Sequence, residues 1–274
     1  MTQKLRDKVI FITGASRGIG REMALRFAQE GAKIVVAAKT SEPHPKLPGT
    51  IYTVADEIVQ AGGKALPVIV DVRDENMVAE AITKTVAAFG GIDILINNAS
   101  AINLGSTTDI SMKRFDLIFS VNMRATFLCS KLCAPHLMKS VNPHILTLSP
   151  PLSLRPKWFK KHVAYTMSKY GMSMCTLGMS EEFKEYGIAV NSLWPKTIIA
   201  TVAISENISK ILYHASRKPV IMADAAYEII TSDSREMTGN FFIDEEILRQ
   251  RGVKNFRKYA MHWFMPTIPD VFVD

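Results

Sequence analysis

Tyr165 and Lys169 stand four residues apart in Tyr165-Thr166-Met167-Ser168-Lys169, inside a stretch with helical periodicity. On a helix that spacing sets a phenol and an ammonium group on one face. A free tyrosine ionises near pH 10. A cation beside it stabilises the phenolate, so Lys169 would make Tyr165 a better proton donor at neutral pH. The pair reads as acid–base machinery acting on a substrate oxygen.

A second motif gives the pair its weight. Thr13-Gly14-Ala15-Ser16-Arg17-Gly18-Ile19-Gly20 follows the apolar run Val9 to Thr13 and opens a helical segment. Gly14 permits a tight turn, Gly18 lets backbone approach a pyrophosphate, and Gly20 lets the helix pack close to the strand. The helix N-terminus, reached through Ser16, Arg17 and Ile19, offers free N–H groups and a positive dipole end to phosphates. A dinucleotide cofactor is expected, and Lys169 is placed to hold its nicotinamide ribose as well as to assist Tyr165.

The end of the second strand selects between cofactors. An acidic residue there suits the ribose 2′-hydroxyl of NAD, whereas a basic one suits a 2′-phosphate. This chain carries Lys39-Thr40 there and Arg17 in the glycine loop. A hydrogen bond to a charged group contributes roughly 1.5–3 kcal/mol, or about tenfold to a hundredfold in affinity. NADP(H) is favoured and NAD(H) stays open. Asp71, closing the third strand, is placed to meet the adenine, and Asn97-Asn98-Ala99 should line the cleft.

The elements that must position these groups are legible as alternation. Val9 to Thr13, Lys33 to Ala38, Ala65 to Asp71, Ile92 to Asn97, His144 to Ser149 and Ile188 to Trp194 read as strands. Between them Ile19, Met23 and Phe27 share a helical face, as do Val78, Ile82, Val86 and Phe89. Gly31, Gly62 and Gly90 fall where helices should stop. Strands apolar on both faces and separated by helices imply a parallel sheet covered on both sides, an α/β doubly wound fold of Rossmann type. Residues 1–274 read as a single domain. Two segments break the rhythm. Pro43-His44-Pro45 to Pro48-Gly49 is a stiff loop, and residues 196–222 are either a plain helical insertion or a lid over an apolar substrate.

Composition excludes other classes. The net charge of +7 comes with no basic run interleaved with aromatics, so no nucleic-acid partner is expected. It suits instead a phosphate-bearing cofactor or an acyl-CoA-like substrate. Purely apolar runs such as Ile34 to Ala38 fall short of the roughly 20 residues of a membrane span, and no signal peptide opens the chain. A cytoplasmic location is expected, with organellar import left open. Cys129, Cys133 and Cys175 lack CxxC spacing and read as reduced thiols, and the six histidines form no HExxH metal motif.

The chain resembles the short-chain dehydrogenase/reductases over nearly its whole length. The match rests on the Thr13 to Gly20 loop, Asn97-Asn98-Ala99, Asn122, the Tyr165/Lys169 pair and Pro195. It is especially similar to the hydroxysteroid dehydrogenase-like proteins, through segments such as Ala37-Ala38-Lys39-Thr40, Pro43-His44-Pro45-Lys46-Leu47, Ser149-Pro150-Pro151-Leu152, Trp194-Pro195-Lys196-Thr197 and Thr238-Gly239-Asn240-Phe241. Some of those carry a sterol-carrier domain; this chain reads as the reductase domain alone. The resemblance implies that Tyr165 moves a proton at the substrate oxygen while hydride moves at the nicotinamide. It also implies that Asn122 supports a proton-relay water beside Lys169, and that the nicotinamide carboxamide is met near Pro195, Ile198 and Thr201. It further implies pairing of the Asn122 and Tyr165 helices, with their Phe127, Leu128, Leu132, Met172, Met174 and Leu177, into homodimers or homotetramers.

Three departures stand out. The family pattern has a carbonyl-orienting serine where this chain has Pro150, which donates no hydrogen bond. Ser149 or Ser153 could take the role, or the donor is absent. Lys196 stands where glycine usually follows Pro195, and Asp244-Glu245-Glu246 replaces a closing Gly-Gly. The expected activity is carbonyl–alcohol interconversion on a hydrophobic substrate, fatty-acyl or steroid-like. The alternatives are a cofactor-binding redox sensor or lipid-handling scaffold with poor catalysis, which Pro150 favours, and an enoyl reductase. The tail from Arg249 to Asp274 should cover either the site or a partner subunit.

Overall fold

A computed structural model describes residues 3–45, 47–202, 213–262 and 264–273. Seven parallel strands lie in the order β3-β2-β1-β4-β5-β6-β7. They are β1 (Val9–Thr13), β2 (Lys33–Ala38), β3 (Lys64–Ile69), β4 (Ile94–Asn97), β5 (His144–Thr147), β6 (Ala189–Trp194) and β7 (Phe241–Ile243). Six match the expected strands, two of them end for end and the others with ends moved by one or two residues. The seventh, three residues at the edge beside β6, is too short to show a period.

Helices cover both faces: α1 (Gly18–Gln29), α2 (Ile51–Gln60), α3 (Glu75–Phe89), α4 (Met112–Phe119), α5 (Ala125–Leu137), α6 (Val163–Glu182), α7 (Val220–Ile230) and α8 (Asp244–Gln250). One apolar layer joins α1, α2, α7 and α8 to the sheet, with Met23 and Phe27 fully buried. The other joins α3, α5 and α6, through Val78, Ile82, Cys129 and Leu137. Helix starts follow local chemistry. The Asp74 carboxylate accepts from the N–H groups of Asn76 and Met77 to cap α3, and Thr50 and Thr53 close a reciprocal capping box on α2.

A π-turn at Ser120–Arg124 joins α4 to α5, and Asn122 sits within it, fully buried. The run Met112–Leu137 is long and apolar enough to cross a membrane by length and composition, but half of it is buried inside this fold. The expected apolar helix surface divides. Leu128 and Met172 belong to the core, whereas Phe127, Met174 and Leu177 are exposed.

Strand order reverses at β1, whose neighbours β2 and β4 lead to opposite wings. The loops after β1 and β4 therefore part there and leave a crevice. Of the expected lid over 196–222, residues 203–212, including Ile204, Ile208, Ile211 and Leu212, lie outside the described residues. Its far end is corrected, since Val220 to Met222 already belong to α7.

Candidate active site

The glycine loop closes against the end of β4. The Asn98 side-chain amide donates to the Thr13 and Gly14 carbonyls at 2.8 and 3.1 Å, and the Asn98 and Ala99 N–H groups donate to the Thr13 hydroxyl at 3.0 Å each. A Cβ on Gly20 would stand 2.5 Å from that amide nitrogen and 2.7 Å from the Gly14 carbonyl oxygen. Helix α1 starts from Arg17 without a side-chain cap and with no acidic residue in its first turn, so its first N–H groups are open to an anion. The stiff loop docks on top. Gly49, at φ +89°, brings its backbone where a Cβ would lie 2.4 Å from the Ser16 carbonyl oxygen. The Arg17 guanidinium donates to the Pro48 and Gly49 carbonyls at 3.2 Å each.

Two cavities meet above this crevice. The first, about 420 Å³, is lined by Gly14, Ser16, Arg17, Ile19, Lys39, Asp71, Arg73, Asn98 and Thr201. Asp71 lines it as expected, but its carboxylate is gripped by Arg73 through contacts of 2.9 and 2.5 Å, which hold it below the usual carboxylate range. Arg73 itself escaped the sequence reading. It follows the third strand, one residue past the apolar Val72, and only the fold turns it toward Lys39. An open anion-binding helix start, a glycine loop without room for side chains at Gly14 and Gly20, and the cations Arg17, Lys39 and Arg73 around the cleft fit a dinucleotide's phosphates.

The second cavity, about 390 Å³, shares Ile19, Asn98, Ser100 and Thr201 with the first. It adds Ile102, Leu104, Leu148, Tyr165, Lys169, Trp194, Pro195, Ile198, Ile199, Pro269, Asp270 and Val271. Tyr165, Lys169, Pro195 and Ile198 thus come together as the sequence implied. The Lys169 ammonium donates to the Leu148 carbonyl at 2.6 Å and lies 5.1 Å from the Trp194 ring. Burial pushes it down to about 7, against an opposing pull from Asp270.

The tyrosine behaves differently from expectation. Burial, reinforced by Asp270, raises its phenol above the ordinary value rather than lowering it. Desolvation of a buried phenolate is the larger cause, and the Asp270 carboxylate adds to it, while the Lys169 ammonium is held by the Leu148 carbonyl. The phenol therefore keeps its proton at neutral pH.

Ser149 is not brought to this cavity. Its hydroxyl is buried against that of Ser192 at 2.8 Å, and Ser192 meets Thr176 at 2.8 Å, all between the sheet and α6. Pro150 offers only its carbonyl, which accepts from Ser173 at 2.6 Å, and the Ser153 hydroxyl accepts from the Arg155 N–H. Neither serine lines the cavity. Asn122 lies behind the site. Its side-chain oxygen accepts from Ser100 and Ala101, and its amide donates to Ala101 and Ser168, clamping the loop after β4 to α6. Ile198 contributes its side chain only, because its N–H donates to Ile268 at 3.0 Å and its carbonyl accepts from Arg217.

The tail decides the far wall. Asp270 N–H donates to Lys196, Trp194 donates to the Val271 carbonyl at 2.8 Å, and Phe272 packs among Tyr165, Tyr170 and Trp194. The tail thus covers the site of its own chain. A lone acid in the apolar run from Met265 to Val273 was the available clue to Asp270. Two departures prove to be one feature. The Lys196 N–H donates to Asp244 at 2.9 Å, and Glu245 receives Lys196 at 3.0 Å, Arg217 at 2.5 Å and Arg249 at 2.8 Å. Arg217 and Glu245 are both buried, so removing the carboxylate strands a guanidinium. Glu245→Ala is expected to lower the unfolding free energy by about 3–5 kcal/mol, read by urea denaturation. A loss below about 1 kcal/mol would mean that this cluster does not anchor the site's far wall.

Comparison with known proteins points one way. A family model described as short chain dehydrogenase matches residues 8–210. Hydroxysteroid dehydrogenase-like protein 2 of Xenopus laevis is 60% identical over 273 residues, covering 100% of this chain, and the chain spans 65% of that relative's length. A crystal structure of a short chain dehydrogenase from Mycobacterium thermoresistibile superposes with a TM-score of 0.93 at 48% identity, over 98% of this chain and 96% of that one. A metagenomic short-chain oxidoreductase in complex with NADP does so at 0.72 and 25%, over 88% and 97%.

Proposed function

We propose, for a chain that belongs to the short-chain dehydrogenase family, that it is an NADP(H)-dependent oxidoreductase interconverting a carbonyl and an alcohol on a hydrophobic substrate. The observation that carries this reading is the opening of Tyr165 and Lys169 into a cavity continuous with the glycine-loop cleft.

When bound, the dinucleotide would supply a hydride to the carbonyl carbon or take one from the alcohol. Tyr165 gives its phenolic proton to the carbonyl oxygen as that oxygen gains charge, and is left as phenolate. Lys169, held by Leu148, supplies the compensating positive charge. Asn122 keeps the loop after β4 and helix α6 in register, so that the two walls of the cavity stay apposed. The buried Leu148, Trp194 and Ile199, with Ile102 and Leu104, give the cavity apolar walls, and a less polar surrounding strengthens each electrostatic contact. Their apolar surface supports a hydrophobic substrate. The exposed Phe127, Met174 and Leu177 support a homodimer or homotetramer.

NADP(H) is supported by Arg17, Lys39 and Arg73 around the cleft, where the one acid among the described lining residues, Asp71, is already paired with Arg73. Lys39→Asp is expected to weaken NADPH by about tenfold to a hundredfold and NADH far less, by fluorescence titration. Equal weakening would remove Lys39 from the phosphate site.

The test of the activity is turnover of NADPH with a panel of ketones, aldehydes and 3-ketoacyl thioesters. The scaffold reading, a cofactor-binding protein with little turnover, draws on the burial of Ser149 away from the cavity. Saturable NADPH binding with no turnover across the panel would favour it.

A further inference from the structure

A phenol alone holds a carbonyl oxygen at one point. Two donors fix its direction and share the charge that develops on it. The polar side chains lining the Tyr165 cavity can be taken in turn. Asn98 is committed to the Thr13 and Gly14 carbonyls, Ser100 donates to Asn122, and Lys169 donates to Leu148. Thr201 stands at the junction with the cofactor cleft. Among the described residues deeper in the cavity than Thr201, that leaves Asp270 beside Tyr165. One oxygen of its carboxyl group accepts the Val271 N–H at 2.7 Å, and no other hydrogen bond reaches that group among the described residues. Its backbone is held firmly: its N–H donates to Lys196 at 3.0 Å, and the flanking Pro269 pairs with Thr197.

We propose that Asp270, carried over the site by the C-terminal strap, binds the substrate oxygen opposite Tyr165 and is the second hydrogen-bonding group of the active site. This rests on the carbonyl–alcohol reading above. The carboxyl group is suited to it. Burial pushes it up to about 7, with Asp244 adding to the rise and Lys169 opposing it, so a substantial fraction is in the neutral, donating form near neutral pH. The neutral form donates to a carbonyl oxygen during reduction, and the ionised form accepts from the hydroxyl of an alcohol. No bond is made or broken at Asp270. Its service is orientation and charge stabilisation, and the proton that reaches the product oxygen comes from Tyr165.

Asp270→Asn and Asp270→Ala, made in the full chain, test this. Asparagine keeps the shape, the acceptor for Val271 and an N–H donor, whereas alanine keeps none of them. With a carbonyl substrate that the wild type reduces, Asp270→Ala is expected to lower kcat by roughly 10²-fold, with the Kd for NADPH unchanged. Asp270→Asn is expected to restore most of that loss. Three results overturn the proposal alone: an Asp270→Ala enzyme as fast as wild type, an asparagine variant as slow as the alanine one, or a loss matched by weakened NADPH binding. The Tyr165→Phe control separates the two readings. If the wild type reduces no carbonyl substrate, or Tyr165→Phe is as fast as wild type, the carbonyl–alcohol reading falls and the role of Asp270 with it.

Discussion

Tyr165→Phe is expected to lower kcat by about 10²–10⁴, while NADPH affinity stays within about threefold and the folded state is unchanged. The two halves of that expectation come from the same surroundings. The Tyr165 side chain lines the cavity and its hydroxyl bonds to no protein group among the described residues, so its removal leaves none of them unsatisfied. The ring is what packs, stacked at 28° and 6.3 Å on Phe272, and phenylalanine reproduces it. What disappears is the proton. Because burial and Asp270 raise the phenol above its ordinary value, the proton is present throughout the neutral range and reduction does not wait for it. The reverse reaction needs the phenolate, whose population grows as pH rises, so alcohol oxidation should accelerate with pH more than carbonyl reduction does. Stopped-flow absorbance of NADPH with the wild type and the variant measures the first claim. A variant as fast as the parent would take Tyr165 out of the chemistry.

Gly20→Ala is expected to lower NADPH affinity by at least about 10²-fold. The cause is steric and backbone-deep. The added carbon would meet the Asn98 amide nitrogen at 2.5 Å, the Gly14 carbonyl oxygen at 2.7 Å and Ala15 Cα at 3.0 Å, and two of those three atoms are main chain. Helix α1 must then move away from the end of β4, carrying its open N–H groups off the phosphate path. Gly18→Ala is the informative control. There the nearest atom is Thr201 Cγ2 at 3.5 Å, so room exists and only the left-handed backbone at φ +57° resists. Isothermal titration with NADPH should place the Gly18 variant between the parent and the Gly20 variant. Parent-like binding by Gly20→Ala would mean that the loop yields without consequence, and that phosphates are held elsewhere.

The chain displays its alternation, its glycine loop and its tyrosine–lysine pair openly, because each depends on residues a few positions apart. A four-residue spacing on α6, a turn needing left-handed backbone and strands apolar on both faces are local demands. They hold wherever the segment ends up in space. The expected strands were therefore recovered to within one or two residues, and Tyr165, Lys169, Pro195 and the loop from Gly14 to Gly20 reach one crevice.

What only tertiary structure decided depends on segments far apart in the chain. Ser149, expected in the site, is turned by the segment after β5 against Ser192, whereas Asp270, far off in sequence, is brought by the strap into the lining of the cavity. Ile198 loses its N–H to a tail that pairs back on it, and Trp194 is fixed by a carbonyl 77 residues later. Burial then reverses the expected direction of the tyrosine's acidity. Periodicity and spacing are properties of neighbours along a chain, whereas desolvation and long-range pairing exist only once distant segments have met.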